Sequence, residues 1–276
     1  MQRSKSIYLL LLMLILSGCS ENPGERPFNF GLVGKQLDQA SLDWIGSQVF
    51  HNECAGKEAC LVHWNQGEAF PSLGIGHFIW YPSGVEGPFV ESFPAMIDYL
   101  SAQGADLPNW LATLQPFDAP WADRQAFLQK SHSVQRDELQ DFLEASKGLQ
   151  AGFLVQRASE SLGRVVAAVS ATERAELTDR IRSLMATPGG VYALIDYVNF
   201  KGEGLAATER YNGDGWGLLQ VLQGMDQAGA GNPLQSFRES AERALTRRAN
   251  NADRAIEKER WLAGWLNRLA SYREPE

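Results

Sequence analysis

The chain has 276 residues and a formal net charge of −8 at pH 7. Because nucleic-acid binding depends on phosphate neutralisation by Lys and Arg, an acidic chain without a dense basic cluster argues against nucleic acid as a partner. Eight Trp and thirteen Phe supply ample apolar area for a core. We expect a well-packed globular body.

The first twenty residues have the pattern of a targeting segment. Arg3 and Lys5 precede an apolar run from Ile7 to Leu16, which is too short for a comfortable membrane span. The following LSGC resembles a bacterial lipobox, which implies cleavage before Cys19 and lipidation of that cysteine. An ordinary secretory signal with an incidental cysteine is the alternative. Ser20 in the next position implies, by the same resemblance, a lipid anchor in the outer membrane, facing the periplasm.

We therefore divide the chain into a signal peptide (1–18), a flexible tether from Cys19 (19–30) and a single domain (31–276). Apolar spacing from Lys35 to Val49 predicts a helix that ends near Glu53. The stretches 60–64 and 72–80 predict two strands of a hairpin. Further helices are predicted over Phe93–Gln103, Trp121–Lys130, Asp137–Ala145, Gln150–Val169, Thr172–Ala186, Val191–Phe200, Pro233–Arg248 and Ala252–Tyr272. The Val191–Phe200 helix is apolar on nearly all sides and should be central.

The cysteines and histidines give no metal-binding pattern. Cys54 and Cys60 are close enough in sequence to form a short disulfide loop, although a bridge is not assured. The four histidines are scattered. We predict neither a metal nor a cofactor.

One region carries a family resemblance. Glu53 closes the first helix, and Ser72-Leu-Gly74-Ile-Gly76-His77 lies on the return strand of the hairpin. This order resembles phage-type lysozymes and related endolysins. It implies a lysozyme-like, mostly helical α+β domain with a small β-hairpin beside a catalytic helix end, and peptidoglycan glycan strands as the substrate. Partial burial of Glu53 at such a junction suits a general acid. The glycines either leave one strand face bare for a sugar chain or mark a bulge or close packing.

The resemblance breaks where the family has a second acid. A lysozyme of this type carries an Asp on the hairpin, and the nearest residue here is Asn65, which cannot ionise. Three alternatives remain open: Glu68 folds back, a distant carboxylate serves, or Glu53 acts alone as in lytic transglycosylases. We take Glu53, Glu68 and Ser72 as candidate catalytic residues. Asn65, Gly74, Gly76 and His77 are candidate substrate-binding residues, although a histidine in the place of His77 more often has a structural role.

A second stretch has the composition of an opposite cleft wall. A buried helix leads into a glycine-flanked acid and an aromatic loop. Aromatic rings there are suited to stacking on sugar faces and polar side chains to bonding hydroxyl groups, while the acids are equally suited to ion pairs. The candidates are Asn199, Glu203, Tyr211, Trp216 and Gln220.

The sequence therefore predicts a peptidoglycan-cleaving glycosidase, either a muramidase or a lytic transglycosylase, with Glu53 as its general acid. The competing hypothesis is a non-catalytic outer-membrane lipoprotein of lysozyme-like fold that binds glycan or a protein partner. Another polysaccharide, such as a chitosan-like chain, is a third alternative.

Overall fold

The computed structural model describes residues 37–87, 89–226 and 231–276. The expected signal peptide, the tether and Cys19 lie outside these residues. Helices dominate, with two small antiparallel sheets, so the α+β class is confirmed at that level. The helices are α1 Gln39–Cys54, α2 Phe93–Ala102, α3 Asn109–Ala112, α4 Arg124–Leu128, α5 Ser133–Ala145, α6 Lys147–Ala167, α7 Ala171–Met185, α8 Pro188–Lys201, α9 Leu218–Gln223, α10 Pro233–Asn251 and α11 Leu262–Ala270.

Helix α8 lies at the centre of the helical core, as its apolar sequence predicts. Thr187 caps its first turn by accepting a hydrogen bond from the Gly190 amide, and Pro188 occupies the favourable first position. The faces of α8 pack against α1, α6, α7, α9 and α10. Tyr192 and Tyr197 on α8 are fully buried. A helix surrounded in this way must be apolar on all sides, which explains the missing polar stripe.

The first sheet departs from the predicted hairpin. Its strands are β1 Val62–His63, β2 Ser72–Leu73 and β3 Phe78–Ile79, in the order β1-β2-β3 with Ser72 opposite both His63 and Ile79. The prediction of one strand over 72–80 is therefore wrong. Residues 74–77 form a turn in which Gly74 (φ 68°) and His77 (φ 48°) have left-handed backbones.

The C-terminal helix also differs from the prediction in its regularity. Instead of one helix over 252–272, a π-helical turn at Glu257–Trp261 precedes α11. A second ribbon, β4 Arg210–Tyr211 with β5 Asp214–Gly215, lies where only a loop was expected. Among the described residues, none of the helices is both long enough and apolar enough to cross a membrane. Helix α11 packs against α10, and its last turn reaches the end of α1.

Candidate functional site

Glu53 is the last but one residue of α1. Asp38 caps the start of this helix by accepting a hydrogen bond from the Ser41 amide. The side chain of Glu53 is 24 % exposed to solvent. One carboxylate oxygen, Oε1, accepts a hydrogen bond from Nη2 of Arg268 on α11. The other, Oε2, lies 3.5 Å from Nδ1 of His77. Glu53 is thus fixed from two sides while solvent still reaches it.

Arg268 joins Glu53 to a second carboxylate. Its Nε donates to Asp196 Oδ2 at 2.8 Å and its Nη2 donates to Asp196 Oδ1 at 2.8 Å, a bidentate pair. The guanidinium also lies 4.4 Å above the ring of Phe200. Burial lowers the pKa of Arg268, but the hydrogen bonds and charges of Asp196 and Glu53 outweigh this and raise it. Arg268 is therefore a permanent cation between two acids.

Asp196 forms the buried base of the site. Its side chain is 1 % exposed, and it accepts hydrogen bonds from Tyr272 Oη at 2.8 Å and from Asn52 Nδ2 at 3.3 Å. Asn52 also donates to Tyr192 Oη, and burial followed by the charge of Asp196 raises the pKa of both tyrosines. The phenols hence remain protonated donors. A buried charge that is satisfied in this way holds its neighbours in one arrangement.

His77 lies between Glu53 and the disulfide that closes the first loop. Cys54 and Cys60 are joined, with their Cα atoms 5.4 Å apart. His77 Nε2 lies 3.3 Å from Cys60 Sγ, while Nδ1 faces Glu53. The two sulfur atoms and a ring nitrogen of His77 all lie within 4.8 Å of one another. The chain thus brings together a set of metal-ligand atoms that the scattered sequence positions did not suggest.

The glycines of the turn are packed against side chains, which agrees with the close-packing alternative and not with a strand kept bare for substrate. A Cβ added to Gly74 would lie 2.4 Å from Gln150 Oε1, and one added to Gly76 would lie 2.6 Å from the Phe78 ring. Gln150, fully buried on α6, accepts a hydrogen bond from the Ile75 amide at 2.9 Å. Close packing of the turn on α6 therefore accounts for both glycines.

Glu68 is hydrogen-bonded within the hairpin turn itself. Glu68 lies exposed in the turn between β1 and β2, where its Oε2 accepts a hydrogen bond from Asn65 Nδ2 at 3.0 Å. Ser72 is in β2 and is 8 % exposed. Among the described residues, the carboxylate that shares Arg268 with Glu53 is Asp196.

The candidates for the opposite wall divide into two groups. Asn199 and Glu203 line a cleft of about 650 Å³ between α6 and α8. Arg164 on α6 donates from Nε to Glu203 Oε1 at 2.9 Å. Burial raises the pKa of Glu203, but hydrogen bonds from Arg164 and Ser161 outweigh this and lower it. Glu203 is an ion-pair partner within the cleft.

The other three candidates stabilise their own loop. Trp216 is 5 % exposed beneath the guanidinium of Arg248, so the expectation that its face stacks on sugar is wrong. Tyr211 donates to Glu257 Oε1 at 2.8 Å. Gln220 accepts from the Gly217 amide at 3.0 Å and donates to a backbone carbonyl at 3.1 Å. Gln220 thereby holds the loop 203–217 on α9, while Trp216 and Tyr211 join it to Arg248 of α10 and to Glu257.

Sequence reasoning missed Asp196, Arg268 and Asn52 as members of the site. One signal was present: Asp196 is an acid inside an otherwise apolar helix, and a buried carboxylate requires a partner. Nothing local marked Arg268 as that partner, because it is an ordinary basic residue on an amphipathic helix 72 positions later. No protein-family model, curated protein or solved structure matches this chain, so the geometry of the site is what bears on its function.

Proposed function

We propose that the protein is a peptidoglycan-cleaving glycosidase of lysozyme-like type and that Glu53 is its general acid. The observation that carries the proposal is the position of Glu53, which meets solvent while a buried network of Arg268, Asp196, Asn52 and Tyr272 fixes it from beneath. A catalytic carboxylate needs this combination of access and a locked geometry.

The network can hold the carboxylate that forms when Glu53 donates its proton. Asp196 neutralises Arg268 through two hydrogen bonds. The cluster of Glu53, Arg268 and Asp196 then has a formal charge of zero when Glu53 is protonated and −1 when it is ionised. After Glu53 gives its proton to the glycosidic oxygen, Arg268 remains hydrogen-bonded to the new carboxylate.

The geometry favours a single-glutamate course over two-carboxylate hydrolysis. A second carboxylate would have to reach the sugar or a water molecule, and Asp196 is 1 % exposed beneath Arg268. Glu68 is held by Asn65 in the exposed turn. Glu53 would first protonate the leaving oxygen and then, as a carboxylate, accept the proton from a hydroxyl of the substrate as that hydroxyl closes an anhydro ring. This is the lytic transglycosylase type of reaction.

The lipobox resemblance supports the proposal that this activity is located at the outer membrane. Lipidation at Cys19 would anchor the domain there with its site facing the periplasm, where the peptidoglycan glycan strands lie. A non-catalytic glycan binder is the second candidate, favoured by Asn65 in place of the expected acid and by the ion pair that Glu53 makes with Arg268.

The test is digestion of purified sacculi by wild-type protein and by Glu53→Gln, with released muropeptides identified by mass spectrometry. We expect anhydro-muropeptides from wild type and a loss of at least a hundredfold in Glu53→Gln, since general acid catalysis contributes about 10²–10⁴-fold. Glu58→Gln, an exposed neighbour, is the matched control, and Glu68→Gln should also remain active. Products with one additional water, together with inactive Glu68→Gln, would establish two-carboxylate hydrolysis instead. Sacculus binding without released product would support the binder.

A further inference from the structure

The end of α1 holds three soft-metal ligand atoms in one place. Cys54 is the last residue of α1, Cys60 ends a short 3₁₀-helix, and His77 follows the glycine turn. Their sulfur and ring nitrogen atoms lie within 4.8 Å of one another. We infer that reduction of the Cys54–Cys60 disulfide converts this cluster into a Zn²⁺ site formed by the two thiolates and the His77 imidazole.

The ligand set is one that zinc prefers. Zn²⁺ binds thiolate sulfur at about 2.3 Å and imidazole nitrogen at about 2.0–2.1 Å, usually in a tetrahedron. His77 already directs Nε2 towards Cys60 Sγ at 3.3 Å, so the ring needs little reorientation. The loop between the cysteines begins with two left-handed residues, Ala55 (φ 50°) and Gly56 (φ 69°), beyond the end of α1. Residues 55–59 between the cysteines are exposed while Cys54 is buried, so parting the sulfur atoms to the roughly 3.8 Å of a tetrahedral site requires movement of Cys60 with its loop.

Groups around the three ligand atoms would also support a bound Zn²⁺. A metal-bound histidine usually directs its second ring nitrogen to a carboxylate, and His77 Nδ1 lies 3.5 Å from Glu53 Oε2. The C-terminal end of α1 carries the negative end of the helix dipole, which favours a cation beside Cys54. Two thiolates balance the two positive charges of Zn²⁺.

Three protein ligands leave the fourth position of the tetrahedron to water. The side chain of His77 is 40 % exposed, so solvent reaches this side of the cluster. An open fourth position is typical of zinc sites that exchange a ligand, whereas purely structural sites are closed by four protein ligands. The site would thus bind zinc reversibly.

The conversion balances in electrons and protons. A dithiol reductant such as dithiothreitol gives two electrons and two protons to the disulfide: the S–S bond breaks, two thiols form, and the reductant becomes a disulfide. Zn²⁺ then forms two Zn–S bonds and releases both protons.

The experiment measures zinc bound per chain without reference to enzymatic activity. The full chain is reduced in denaturant and refolded with Zn²⁺, and after gel filtration its zinc is quantified by mass spectrometry and its affinity by competition with a chromophoric chelator. We expect one zinc per reduced chain and none on the oxidised protein. His77→Ala should weaken binding by more than a hundredfold, because even loss of an outer partner costs about 10–100-fold.

Two controls keep the outcome decisive. His63→Ala removes an exposed histidine from β1 and should leave the affinity unchanged. Glu53→Gln keeps all three ligands but removes the charge of the outer partner, and it should weaken binding about 10–100-fold. The inference is overturned if the reduced wild-type chain binds no more zinc than the Cys54→Ser, Cys60→Ser double variant. It is also overturned if His77→Ala binds as tightly as His63→Ala.

Discussion

Replacing Arg268 with methionine leaves the carboxylate of Asp196 buried without its cation. The side chain of Asp196 is 1 % exposed. Without Arg268, the hydrogen bonds that Tyr272 and Asn52 donate to Asp196 would remain. Removing one partner of a buried ion pair costs about 3–5 kcal/mol. Methionine keeps an apolar side chain of similar length but loses the guanidinium that lies over the Phe200 ring. We therefore expect Arg268→Met to lower the free energy of unfolding by about 3–5 kcal/mol.

The assay is urea unfolding followed by circular dichroism, with Arg273→Met as the matched control. Arg273 makes an exposed ion pair with Glu276, and such pairs contribute only about 0–1 kcal/mol. A double variant, Arg268→Met with Asp196→Asn, removes the unpaired charge and should be more stable than Arg268→Met alone. If Arg268→Met loses no more stability than Arg273→Met, Asp196 is not the buried anchor of this site.

Three further predictions concern the rest of the fold. Burial and the charge of Arg248 lower the pKa of Lys201 to about 7, from 10.5. At pH values between 7 and 10.5, Lys201 is protonated in the unfolded chain but not in the folded chain. The free energy of unfolding should therefore rise with pH, by about 2–3 kcal/mol from pH 7 to pH 9. Urea unfolding of Lys201→Met should not show this rise. Gly74→Ala should lower the free energy of unfolding by about 1–3 kcal/mol more than Gly67→Ala in the same assay. Both glycines have left-handed backbones, but only at Gly74 would the added Cβ meet Gln150 Oε1. Changing Cys54 and Cys60 to serine should lower stability by about 2 kcal/mol, the cost of opening a loop of this length in the chain-entropy model, measured as a shift of the urea midpoint.

The helices could be predicted from the sequence because their signals are local. The Ser170–Glu173 capping box, which can be read directly from the sequence, caps α7, with Ser170 Oγ accepting a hydrogen bond from the Glu173 amide at 3.4 Å. The apolar run of Val191–Phe200 forms the buried part of α8. Glu53 lies at the end of α1, where the periodicity of that segment places it.

The β-region and the site were harder to predict because their causes are not local. The alternation of residues 72–80 is typical of a strand, but Gly74 and His77 take left-handed backbones so that the turn packs on Gln150. Trp216 looked available to a ligand and is instead covered by Arg248, 32 positions later. In both cases the partner comes from a distant helix, and neither hydrophobic periodicity nor turn chemistry contains that information.

The environment of Glu53 depends on the last helix of the chain. Arg268, Ser271 and Tyr272 all come from α11 or the residue pair that follows it, and Glu53 lies 215 positions before Arg268. Until α11 packs, Asp196 lies in an apolar helix without its cation, and Glu53 lacks one of the two groups that fix its carboxylate. The site is therefore complete only when the C-terminal segment has packed against α1 and α8. A chain that ends before α11 should lose both stability and any activity that depends on Glu53, even though the segment resembling a lysozyme, residues 40 to 80, is complete.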